Sequence, residues 1–150
     1  MKRLSITLLT VALLLGITTT GCKKYEDGPA ISIKSKRARA TNNWKAKNVF
    51  QDGVDYTAWF TDWSIDMGED GRIVISDKDD NDSTITQAGF WDLVNDQKEL
   101  RLLLTEPRVD PDQKYYTITR LTSKEFWFKE LTDSTVWEFR LIPLGTESSD

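Results

Sequence analysis

The chain has 150 residues with 20 Lys+Arg against 24 Asp+Glu, a net charge of −4, no histidine and one cysteine. An acidic balance repels phosphate backbones, so nucleic acid is not an expected partner. One cysteine cannot form a disulfide within the chain, and without histidine the usual nucleophile–base pairs cannot be assembled.

The amino terminus reads as an export signal. Lys2 and Arg3 precede an almost charge-free, Leu-rich run from Leu4 to Ile17, and Thr19-Thr20-Gly21 leads into Cys22. A basic start, a short apolar run and small residues at the cut define a signal peptide over residues 1–21. The apolar run falls well short of the ~20 residues that cross a bilayer as a helix. A cysteine placed directly after a small residue resembles the lipobox of bacterial lipoproteins, with Thr19 where a large aliphatic residue is usual. That resemblance implies that Cys22 carries a diacylglycerol on sulfur and, once the leader is cut away, an acyl chain on its amino group. Two or more acyl chains meet the requirement for stable anchoring. Lys23, rather than an aspartate, occupies the sorting position, which by the same resemblance implies the outer membrane, with the domain on the periplasmic face or the cell surface. Tyr25-Glu26-Asp27 is a short acidic patch, vaguely like a surface-export tag. Without Lys2 and Arg3 the mature chain sets 18 basic residues against 24 acidic ones, a net charge of −6.

Residues 22–41 read as the lipidated cysteine and a polar tether. Lys23, Lys24, Lys34, Lys36, Arg37 and Arg39 stand there among few large apolar residues. A helical turn is expected over Ser35 to Ala40. From Asn43 the pattern is strand. Trp44, Ala46, Asn48 and Phe50 alternate with Lys45, Lys47, Val49 and Gln51, and Asp52-Gly53 is a turn pair. Trp59, Trp63, Ile65 and Met67 form a second stretch, closed by Glu69-Asp70-Gly71, after which Ile73 and Ile75 share a face. Asp77 to Ser83 is a polar loop, Thr84 to Val94 a strand, and Asn95 to Lys98 a turn. Leu100, Leu102 and Leu104 share a face of the next strand, and Glu106 to Lys114, with two prolines, reads as a loop. Tyr116 and Ile118 lead a strand ending near Leu121, Phe126 and Phe128 mark another, and Trp137, Phe139 and Leu141 the last. About eight antiparallel strands with period-two alternation indicate an all-β meander, a barrel or a sandwich.

These residues carry a family resemblance. Asn43-Trp44-Lys45 looks like the glycine-x-tryptophan opening of lipocalins, with the glycine absent. Gly89-Phe90-Trp91-Asp92-Leu93 with Lys98-Glu99-Leu100-Arg101-Leu102, then Tyr116 to Phe128, then Trp137-Glu138-Phe139, resemble successive strands of bacterial lipocalin-like lipoprotein domains. The resemblance implies a lipocalin-like barrel over residues 42–144, with residues 145–150 as a disordered tail. It also implies a non-enzymatic protein that binds a small apolar or amphipathic ligand or a glycan. A solid, filled barrel docking another envelope protein is the competing expectation.

Candidate chemistry is sparse. The six tryptophans Trp44, Trp59, Trp63, Trp91, Trp127 and Trp137 are the candidate ligand contacts, although tryptophan is more often core. Trp127 alternates with Phe126 and Phe128, so it faces away from them. The carboxylates Asp66, Glu69, Asp110 and Asp112 fall in turn-like segments, and nothing marks a catalytic pair among them. Asp77, Asp79 and Asn81 mimic the alternating oxygens that open a calcium loop. Asp82 stands where such a loop needs glycine and Ala88 where it needs glutamate, so a hairpin kept soluble by acids is the simpler reading. No cofactor is expected.

Overall fold

The computed structural model describes residues 34–106, 112–132 and 134–146. The leader, Cys22, the patch Tyr25-Glu26-Asp27, Asp110, and residues 147–150 of the expected tail lie outside the described residues. No helix among the described residues is long and apolar enough to cross a membrane.

Among the described residues one short helix, α1 (Lys36–Ala40), precedes nine strands: β1 (Asn42–Gln51), β2 (Val54–Asp55), β3 (Ser64–Met67), β4 (Arg72–Lys78), β5 (Thr84–Val94), β6 (Glu99–Glu106), β7 (Asp112–Leu121), β8 (Phe126–Leu131) and β9 (Val136–Pro143). Each strand from β3 to β9 pairs with the next, and β1 lies antiparallel between β3 and β9, so the sheet closes on itself. The dipeptide β2 pairs with the far end of β1, on the edge that β3 occupies further along. β2 and β3 are thus two pieces of one barrel position, and the closed wall has eight strands. Asp52 and Gly53, both at positive φ, make the tight β1–β2 turn that a right-twisted hairpin favours. Between β2 and β3 the chain leaves the wall for a 3₁₀ turn, Thr57–Phe60. Trp59 sits on that turn and not in a strand, because the backbone there crosses the barrel end instead of running along the wall.

Alternation places Ile73, Leu100, Leu102, Leu104, Tyr116, Ile118, Phe126, Phe128 and Leu141 inside, all buried. In β1 the alternation breaks. The register with β9 slips between Ala46 and Asn48, leaving Lys47 as an extra residue, and a bulge of this kind moves every later side chain to the other face. Trp44 is inside as expected, but beyond the bulge Val49 is the fully buried residue, not Asn48 or Phe50. The loop expected over Glu106 to Lys114 also ends earlier, since Asp112 to Lys114 already pair with β6.

Helix α1 closes one end of the barrel. Ser35 caps it by accepting from the Ala38 amide at 3.1 Å. Ala40 is fully buried, and its carbonyl accepts from Trp44 Nε1 at 2.8 Å. Arg37 donates to the Glu69 carbonyl through Nε (3.1 Å) and Nη2 (3.0 Å) and lies 4.6 Å above the Trp91 ring. Arg39, only 8% exposed, donates to the Leu121 carbonyl at 2.9 Å, and its Nε has no partner. The last residues of the segment read as tether are therefore built into the barrel base.

Candidate functional site

The opposite end is the open one. There the inner face changes from aliphatic to aromatic. Phe60, on the 3₁₀ turn, meets Trp63, Trp137 and Phe139 at ring-centroid distances of 6.2, 6.2 and 5.8 Å. Trp63 stacks on Phe139 at 6.0 Å, and Phe139 stacks on Phe128 at 5.3 Å. The turn is pinned across the mouth by Tyr56 N donating to the Val49 carbonyl (2.8 Å) and Val49 N donating to Thr57 Oγ1 (3.0 Å). Asp55 caps it by accepting from Thr57 N at 2.7 Å, and hydrogen bonds from Thr57 hold the Asp55 carboxyl below its ordinary range. Aromatic contacts of this kind add stability beyond burial, so they fill the upper barrel rather than leave it hollow.

Beside this wall a half-open cleft of about 170 Å³ is lined by Trp63, Ile75, Asp77, Ile85 and Gln87. Ile75 pairs with Gln87 and Asp77 with Ile85 across β4 and β5, so these four side chains share the inner face with buried Ile73. Ile85 is 53% exposed, a large aliphatic side chain turned into the mouth and left uncovered. Further clefts among the described residues lie on the outer wall or the rim. One of about 300 Å³ includes Arg37, Phe90 and Arg101, and one of about 550 Å³ includes Phe50, Lys129 and Arg140.

The mouth also holds charge. Lys114 and Glu130 share the inner face and pair at 3.1 Å. Tyr116, one step deeper, has its hydroxyl pushed well above the ordinary range, first by burial and then by the negative charges of Glu130 and Asp112. The folded state thus keeps this proton after the unfolded chain has lost it. Stability should hold below pH ~10 and fall as pH rises beyond it. In an alkaline absorbance titration one tyrosine should remain protonated until the barrel unfolds, and Tyr116→Phe should remove that late phase. Complete titration of the intact barrel in a single early phase would contradict this.

The six tryptophans do not form one site. Trp44 and Trp91 are buried at the helix end, each with its indole N–H satisfied by a carbonyl, Ala40 and Gly68 respectively; Trp91 also borders the cleft of about 300 Å³ beside Arg37, away from the mouth. Trp127 lies on the outer wall as its alternation implies, but guanidiniums cover it: Arg120 at 5.1 Å and Arg140 at 4.8 Å from the ring. Trp59 is 80% exposed on the rim, 6.2 Å from Tyr56. Only Trp63 and Trp137 belong to the aromatic wall of the mouth. In the acidic loop Asp79 Oδ1 accepts from the amides of Asn81 and Ser83, both at 2.9 Å, so it braces a turn. Among the described residues no three His, Cys, Asp or Glu side chains are grouped to hold a metal. Alternation alone did not single out Ile85, Gln87, Lys114 and Glu130, because polar residues stand on both faces of the strand ends that carry them.

No protein-family model matches this chain, and no curated protein matches it. Among solved structures, a lipocalin-like protein from Bacteroides uniformis ATCC 8492 is similar over 69% of this chain and 97% of that one, with 10% identity and a TM-score of 0.56. An uncharacterized protein from Bacteroides eggerthii DSM 20697 aligns over 67% of this chain and 97% of its own, with 14% identity and a TM-score of 0.47. The likeness to the first concerns the fold alone: this chain is an all-β, antiparallel, closed eight-strand barrel, similar in fold to that lipocalin-like protein.

Proposed function

We propose that this chain is an outer-membrane lipoprotein, anchored through acylated Cys22, whose lipocalin-like barrel binds a small apolar or amphipathic molecule or a glycan at its open end and catalyses no reaction. The observation that carries the binding half is the cleft where Ile85, Ile75 and Trp63 meet Asp77 and Gln87 on the inner face. An uncovered aliphatic wall with a few convergent polar groups is the usual composition of a ligand seat. Its volume suits a single ring or a short chain, with the deeper barrel occupied by the protein's own aromatics. The leader and lone cysteine support the anchor. A second reading, a filled barrel that docks another envelope protein, draws on the packed interior and on exposed Phe90 and Val74 on the outer wall.

Native mass spectrometry of protein extracted gently from membranes tests these readings together. The expected spectrum has a mature terminus carrying acyl mass at Cys22 and a small-molecule adduct that Ile85→Asp loses. An unmodified terminus would remove the anchor. Identical spectra for wild type and Ile85→Asp would remove the mouth. A protein partner lost on Phe90→Asp would favour the docking reading instead.

A further inference from the structure

We propose that the mouth selects organic cations: an ammonium or guanidinium carried on a compact apolar or aromatic group. The inference rests on the mouth being the binding site and names the class of molecule it takes. Asp77 is central to it. Its carboxylate lines the cleft beside Trp63 and Ile85, and its one hydrogen bond is local, Oδ1 accepting from Lys78 N at 2.8 Å. Among the described residues no Lys or Arg nitrogen pairs with it, and the adjacent Lys78 turns outward to Asp82.

The surroundings have the same sign. Among the described residues the inner face of the mouth carries Asp77 and Glu130 with one cation, Lys114, and Lys114 is already paired with Glu130. Asp52, Asp62, Asp79 and Asp80 stand exposed on the rim loops, and Asp55 is exposed at the end of β2. Field lines from such a rim concentrate in a low-dielectric recess and favour cations there. The recess wall is Trp63 with Phe60 and Phe139 behind it, and aromatic faces attract cations through their quadrupole. A neutral apolar molecule would leave the Asp77 charge unanswered, and an anion would be repelled.

Three probes of one shape separate charge from fit: 2-phenylethylammonium, 2-phenylethanol and phenylacetate, titrated into the full mature chain while the Trp63 indole resonance is followed. That resonance is assigned by its loss in Trp63→Phe. The ammonium should bind roughly tenfold more tightly than the alcohol, with phenylacetate weakest. Asp77→Asn retains an oxygen for the Lys78 amide, so the barrel should be unchanged. In that variant the roughly tenfold advantage of the ammonium over the alcohol should disappear, and an advantage that survives would overturn the role of Asp77. Equal binding of ammonium and alcohol by the wild type would overturn the cation preference and leave the mouth standing as a site. No shift at Trp63 with any probe would overturn the mouth, and the cation preference with it.

Discussion

Gly89→Ala should destabilise the barrel by about 3 kcal/mol, the upper end for overpacked sites. Gly89 sits where β5 and β6 slip register, between the Ala88–Glu106 and Gly89–Leu104 pairs, with Thr105 as the extra residue. A Cβ there would lie 2.0 Å from the Leu103 carbonyl oxygen, 2.8 Å from Leu104 Cα and 2.9 Å from the Leu103 carbonyl carbon. All three are backbone atoms of the neighbouring strand, so no side chain can swing aside. Propensity alone argues the other way, since alanine outperforms glycine within a strand by roughly 0.5–1 kcal/mol. The clash decides the sign. Urea unfolding should show a lower midpoint with an unchanged slope. A loss under about 1 kcal/mol would mean that the strands part more freely than this packing implies.

Trp44→Ala should cost about 3–5 kcal/mol, the range for emptying a large aromatic site. Trp44 is fully buried, its ring is 5.7 Å from that of Phe126, and its indole nitrogen holds the last carbonyl of α1. Two contributions are therefore combined, core volume and the latch on the helix. Trp44→Phe separates them, because it keeps an aromatic ring and deletes the donor. Leaving the buried Ala40 carbonyl unanswered should cost about 1–3 kcal/mol, in addition to a small packing loss. Amide exchange over residues 36–40 should accelerate in Trp44→Phe more than exchange in β6. Equal acceleration in both would show that the latch has no local role.

The sequence made some walls legible and hid others for identifiable reasons. In β4, β6 and β8 the alternation is unbroken, so Ile73, Leu100, Leu102, Leu104, Phe126 and Phe128 could be assigned inward from spacing alone, and they lie inward. In β1 one surplus residue, Lys47, inverts the face, and nothing local announces it. Trp59 shares the composition of a strand, yet the barrel needs a crossing segment at that point, and this tertiary demand overrides local preference. The candidate site was less readable still. Two of six tryptophans line the mouth, whereas Ile85, Gln87, Lys114 and Glu130 become neighbours only through closure. Asp77 stood out on the sequence for a metal-like pattern and occupies the mouth in a different role, as an inward carboxylate beside an aromatic wall.

Closure has one more consequence. Trp44 lies opposite Pro143, and Leu144 N donates to the Asn43 carbonyl at 2.8 Å, so the first and last staves of the barrel meet and their outer tips are within reach of each other. A ring whose two loose ends already touch has no privileged starting point. Splicing the end of β9 to the chain ahead of α1, so that the helix keeps its place, and reopening the hairpin at Asp79–Ser83 would deliver the same staves in a rotated order.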